Sequence, residues 1–143
     1  MMTDFAQMRV LIRKEERLRW SIEKQMAKAT KITTSFSQTG GGGGTKTGSQ
    51  VEDGAIILAA LKDEHRETFE ELQQARAELR AGMAMVRNKH LSLGKSFVRM
   101  RYLQGISVRK IALVMNYSEQ YVFRIIRHTE ALINKAQMDA GSR

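Results

Sequence analysis

An all-α protein is what this sequence predicts, on three observations. Proline is absent from all 143 residues, and five of the eleven glycines are consecutive, Gly40 to Gly44. The rest is rich in Ala, Leu, Glu, Lys, Arg, Gln and Met, the residues that cost least in a helix. Apolar residues recur at alternating spacings of three and four over long stretches, the period of one helix face. The expected architecture is a long N-terminal antiparallel helical hairpin, coiled-coil-like, over 1–86. A three-helix unit over 87–143 follows it.

The first helix is expected from Asp4 to about Ala29, with Asp4 or Thr3 as its cap. Met8, Leu11, Leu18, Ile22, Gln25 and Ala29 share one face, and Glu15 is the polar exception on it. Residues 33–50 are expected to be a flexible loop, because a glycine run loses too much backbone entropy to stay helical. Within it, Gly44-Thr45-Lys46-Thr47 brushes against a phosphate-binding loop. That motif needs Gly directly before the Lys-Ser/Thr pair and a strand before the loop. Neither is present, so nucleotide hydrolysis is rejected.

A second long helix is expected from Val51 to about Val86. Val51, Leu58, Leu61, Leu72, Ala75, Leu79 and Val86 form its stripe. His65 and Thr68 interrupt the stripe, and Gly54 and Gly82 take two further positions on it. His65 reads as a packed or register-setting residue, and Gly82 as a kink or the helix end. Both seams are narrow, as in coiled coils, and neither helix can bury its own. The first helix is basic and the second acidic, which favours pairing them, within one chain or between two.

Beyond Leu91 the pattern shortens. A helix from about Ser92 to Gln104 presents Leu93, Phe97, Met100 and Leu103, and Gly105 ends it. Ser107 caps a helix over Val108–Met115, Asn116-Tyr117 turns, and Ser118 caps a helix from Glu119 to about Ala136. Small Ala112 sits where two short helices cross. Asn116, four residues on, tolerates the left-handed backbone that a tight turn demands. Val122 and Ile125 are expected inward on the last helix, and Ile111 and Met115 inward on the one before.

These offsets describe a helix-turn-helix, whose last helix enters the DNA major groove by its N-terminal part. The outward side chains are then Glu119, Gln120, Phe123, Arg124 and Arg127. Arg chelates guanine, Gln pairs with adenine, Glu accepts from cytosine and Phe meets the thymine methyl, so these five are the candidate base readers. Ser107, Arg109, Lys110, Ser118, Tyr121 and His128 are the candidate phosphate contacts, with Arg99 and Arg101 of second rank.

Charge agrees with a polyanionic partner. Residues 83–143 carry 11 Lys and Arg against 3 Asp and Glu, net +8, whereas residues 51–82 are net −4. A basic segment of this density attracts nucleic acid. Other classes are disfavoured. Cysteine is absent, so there is no disulfide or thiolate metal site. No apolar run approaches a membrane span and no signal peptide opens the chain, so a cytoplasmic protein is expected. His65, His90 and His128 lack ligand spacing, and Asp63-Glu64 and Glu70-Glu71 are adjacent pairs that diverge on a helix. Neither an enzyme nor a cofactor is expected.

The run Arg101-Tyr102-Leu103-Gln104-Gly105-Ile106-Ser107-Val108-Arg109-Lys110-Ile111-Ala112, with Met115-Asn116-Tyr117-Ser118 and Val122-Phe123-Arg124-Ile125, resembles region 4 of bacterial sigma factors. It is closer still to the ArpU/RinA-like regulators of phages that infect Gram-positive bacteria. Lys31-Ile32-Thr33-Thr34-Ser35-Phe36-Ser37, the glycine run and Val51-Glu52-Asp53 look like the connector of that group. The resemblance implies a phage or prophage transcriptional regulator, an activator of late genes, acting in the host cytoplasm. Double-stranded DNA would be its partner, with host RNA polymerase as a second one. The N-terminal helices would make a homo-oligomer, a dimer being favoured. One departure is that Arg109-Lys110 is basic where related sequences often carry acids. The competing expectation is a small terminase subunit of phage DNA packaging, although those usually place the DNA-binding unit first.

Overall fold

The chain is all-helical. The computed structural model describes residues 2–38, 44–87 and 91–141. Among the described residues five α-helices follow one another: α1 (Phe5–Gln38), α2 (Gly44–Met85), α3 (Ser92–Val98), α4 (Val108–Met115) and α5 (Glu119–Gly141). A π-helical turn, Arg99–Leu103, prolongs α3. Among the described residues no helix is long and apolar enough to cross a membrane.

Contacts divide the chain into two compact units, 1–12 with 71–143 and 13–70. That division falls elsewhere than the 86/87 boundary expected from sequence. The reason is a shared core. Met8 of α1 and Leu79, Met83 and Val86 of the second long segment are buried with Phe97, Tyr102, Ile111, Val122 and Ile133. Each such side chain contributes about 1.5–3 kcal/mol of transfer free energy.

Within this first unit the N-terminus is tied down by side chains. Asp4 Oδ1 accepts from Gln7 N–H at 3.0 Å, so Asp4 is the cap of α1. Thr3 does something else. Its N–H donates to Gln137 Oε1 at 2.7 Å, and its hydroxyl accepts from Gln137 Nε2 at 2.9 Å. This pair is buried and joins residues 134 apart, which explains why α5 stays ordered past Ala136. Gly82 does not end its helix, which runs on to Met85. A Cβ there would overlap the Gln137 amide and meet Ile133 Cγ2 at 3.0 Å, so Gly82 lets α2 approach α5.

A second close crossing joins α3 to α5. A Cβ on Gly94 would overlap Thr129 Oγ1. Thr129 is fully buried, and its hydroxyl is satisfied by donating to Ile125 O at 2.8 Å. Helix and hydroxyl thus need no partner from α3, only room.

In the second unit, 13–70, Glu15 pairs with His65 and Gln25 lies against Gly54, so one helix advances as the other retreats. Glu15 is buried on the seam, as is Thr68, whose hydroxyl donates to Glu64 O. Burial pushes the Glu15 carboxyl up, but Arg19 (2.6 Å) and His65 (3.2 Å) outweigh that and hold it below its ordinary range. Ile22 and Gln25 are half-buried, and Ala29 is exposed.

Both long helices exceed their expected ends. α1 reaches Gln38 and α2 begins at Gly44, so 33–38 and 44–50 are helical where a loop was expected. Thr and Ser cost only about 0.5 kcal/mol each in a helix, and propagation adds one hydrogen bond per residue fixed, so a nucleated helix runs on. The centre of the expected loop, 39–43, and His90 lie outside the described residues. Gly44 to Thr47 open α2, not a phosphate-binding loop.

Two outcomes follow. Gly94→Ala lowers stability by about 1–3 kcal/mol in urea unfolding despite the better helix former, because the crossing is overpacked, and adding Thr129→Ala restores much of it. Glu15→Gln acts through pH. A carboxyl held below its unfolded value stabilises at neutral pH and stops doing so as pH falls through its folded value. The variant is therefore less stable at pH 7 and shows a shallower acid limb in a stability–pH curve.

Candidate nucleic-acid interface

The region between Gly105 and Ser118 is built by local backbone rules. Arg99–Leu103 closes with Gln104 N–H donating to Arg99 O, and Ile106 N–H then donates to Met100 O. That second bond requires a left-handed residue between, and Gly105 supplies it at φ 69°. Ser107 is extended and its Oγ accepts from Lys110 N–H at 3.2 Å, capping α4. Asn116 ends α4 at φ 61°, ψ 44°, with Tyr117 N–H donating to Ala112 O. Ser118 Oγ accepts from Tyr121 N–H at 3.2 Å and caps α5.

α5 is fixed by its buried face, Val122, Ile126, Thr129, Ile133 and Gln137. Ile126, not Ile125, is the fully buried partner of Val122, and Ile125 is only half-buried. The spacing of four rather than three follows from the crossing at Thr129, which turns the helix so that 122, 126, 129 and 133 form its inner row. Met115 also departs from expectation. It is 36% exposed, because α4 turns only Ile111 and Ala112 fully inward.

The five candidate base readers, Glu119, Gln120, Phe123, Arg124 and Arg127, are all exposed on the first turns of α5. Arg127 lies over the Phe123 ring, 4.6 Å from its centroid. Among the candidate phosphate contacts, Ser107, Arg109, Lys110, Ser118, Tyr121 and His128 are exposed too. Ser107 and Ser118 are already acceptors in caps, leaving their hydroxyl hydrogens to donate. Glu119 faces Arg109 at 4.0 Å, joining the N-terminal ends of α4 and α5. Both are largely solvated, so that pair contributes little. Tyr121 stacks on Tyr117 (5.0 Å), which meets Phe97 edge-on (5.8 Å), an aromatic path from surface to core.

Sequence reasoning missed two groups. Leu113 and Val114 of α4 are 75% and 63% exposed, an apolar pair beside the turn. No periodicity could reveal them, since a short helix of VRKIALVM is apolar on several sides. The second group is a polar network. Arg9 Nη1 donates to Tyr102 Oη at 2.8 Å, Tyr102 Oη donates to a Glu130 carboxylate oxygen, and Arg9 lies 3.5 Å from that carboxylate. Arg76 Nε donates to Tyr102 O at 2.8 Å. The network joins Arg9 to Tyr102, 93 residues on, and to Glu130 beyond it, out of reach of any local signal. A cavity of about 130 Å³ adjoins it, lined among others by Arg9, Arg101, Phe123, Arg127 and Glu130.

No known protein family, curated protein or solved structure matches the chain.

Tyr102 gives a pH-dependent outcome. Burial first, and then Glu130, push its hydroxyl well above its ordinary value of 10.0. A raised hydroxyl stabilises the fold below the unfolded value, and that contribution is lost as pH rises through the folded one. Tyr102→Phe is expected to lower stability at neutral pH by about 1–3 kcal/mol, as Glu130 loses a donor. Its alkaline unfolding limb above about pH 10 should be shallower than that of the unaltered chain.

Proposed function

We propose that the chain is a sequence-specific DNA-binding regulator of transcription in which α4, the Asn116 turn and α5 act as a helix-turn-helix. The observation that carries the reading is the two-sided character of α5. Val122, Ile126, Thr129 and Ile133 are buried on one side, and Glu119, Gln120, Phe123, Arg124 and Arg127 are exposed at its N-terminal end. That end is the part of such a helix that meets base edges. The exposed set offers both hydrogen-bond donors and acceptors, which sequence readout needs and mere charge attraction does not. The net +8 of residues 83–143 supports the same partner.

In this reading Arg109, Lys110, Ser107, Ser118, Tyr121 and His128 engage the backbone on either side of the groove. α1 and α2 form an antiparallel hairpin that brings two copies together, matching a site with two-fold symmetry. The resemblance to ArpU/RinA-like regulators makes phage late transcription, in the host cytoplasm, the proposed setting, with host RNA polymerase as a further partner. No catalysis is proposed.

Footprinting on phage DNA tests this. A discrete protected promoter site is expected. Uniform protection at every sequence would refute it, and a single protected site at a packaging origin would favour the packaging role. On the protected site Arg124→Ala is expected to cost about 1–3 kcal/mol and relax one base preference. Lys110→Ala should weaken binding about equally on all sequences. An unchanged affinity for Arg124→Ala would mean that α5 is turned the other way.

A further inference from the structure

The cavity beside Tyr102 differs from the open face of α5 in its charge. Three guanidinium groups and one carboxylate face it: Arg9, Arg101, Arg127 and Glu130. Arg9 is matched, since it is bound to Tyr102 Oη and paired with Glu130. Arg101 and Arg127 have no carboxylate partner among the described residues. The recess therefore holds an unbalanced charge of +2. Like charges sharing a recess repel more strongly than on open surface, where water screens them, and an anion between them removes that cost.

Size and position narrow the anion. About 130 Å³ is room enough for one tetrahedral oxyanion. Guanidinium forks match phosphate oxygens in pairs. Two lining residues, Phe123 and Arg127, belong to the exposed face of α5. The recess thus opens next to the surface assigned to base edges, where a duplex carries its phosphates.

We propose that this cavity is a socket for a single tetrahedral phosphate group, gripped by Arg101 and Arg127, with Arg9 as its fixed wall; Arg127 then serves the phosphate backbone, and base reading falls to the other four exposed residues of α5. Its source is a phosphate of bound DNA, and to that extent the assignment rests on the DNA-binding reading. Glu130 does not repel the guest, because both Tyr102 Oη and Arg9 are turned on its carboxylate. The π-helical turn has a role here: it delivers Arg101 and Tyr102 to the same recess. Arg9 lies on α1, far outside the helix-turn-helix in sequence, so the phosphate-binding surface is wider than the motif.

The test compares the full chain with its Arg101→Ala and Arg101→Lys variants on random-sequence duplex DNA across a series of salt concentrations. Arg101 has no carboxylate partner among the described residues, so unchanged thermal unfolding is expected for both variants. Arg101→Ala should reduce the slope of log affinity against log salt by about 0.9, the loss of one phosphate contact. Arg101→Lys should retain most of that slope, as a point charge remains. A wild-type slope for Arg101→Ala overturns the socket while leaving DNA binding intact. If the unaltered chain binds no duplex, the DNA reading fails by itself. Inorganic phosphate then decides the socket: it must raise the unfolding temperature above that in chloride of equal ionic strength, and must not do so for Arg101→Ala. Equal effects on both would overturn it.

Discussion

The contact between Gly94 and Thr129 sets the geometry on which the rest of the first unit depends. Helices approach this closely only where one has no side chain and the other satisfies its own hydroxyl. Thr129 donates to Ile125 O and leaves nothing for α3 to answer. The crossing fixes the rotation of α5 about its axis, which makes 122, 126, 129 and 133 the inner row and turns 119, 120, 123, 124 and 127 to solvent. A second glycine crossing at Gly82 and the Thr3–Gln137 clasp hold the far end of the same helix. One helix is thus pinned at three heights by small residues and amides, while Arg124 and the other exposed side chains of its first turns lie away from that buried row.

The polar network around Tyr102 complements that apolar frame. Arg9, Tyr102 and Glu130 come from α1, the π-helical turn and α5, and each satisfies another in a partly buried place. Removing one member strands the others, and this is why such networks act as specifiers of arrangement as well as of stability. The same network leaves Arg101 and Arg127 without an acid between them. Structural satisfaction on one side of the recess therefore accompanies an electrostatic surplus on the other.

What could be read from sequence was whatever is decided within a turn or two. Asp4, Ser107 and Ser118 cap helices because each hydroxyl or carboxylate reaches an N–H three residues on. Gly105 and Asn116 take positive φ because the chain must reverse there. The polar seam residue Glu15 and its interrupting counterpart His65 were visible as exceptions to their stripes, and they meet. Features set by distant partners were not legible. Ile125 and Ile126 are equally apolar, and only the crossing at Thr129 chooses between them. Met115 sits at a helical spacing that looks internal, yet it is exposed. Gly82 reads as a breaker in a one-dimensional pattern, yet it is an accommodation to α5. The ends of α1 and α2 were misplaced because composition records what each residue prefers, not how far a helix already formed will carry it.

The shared core has a bearing on how such a chain can change over generations. A helix α5 whose core includes Met8, Leu79 and Met83 is not a cassette. Cutting the gene near residue 87 and grafting the downstream part onto another helical stem would leave behind five of the fourteen buried residues of the core against which α5 packs. Substitutions at the exposed positions of α5 therefore leave this core untouched, whereas a cut at the boundary that looks most natural on paper divides it.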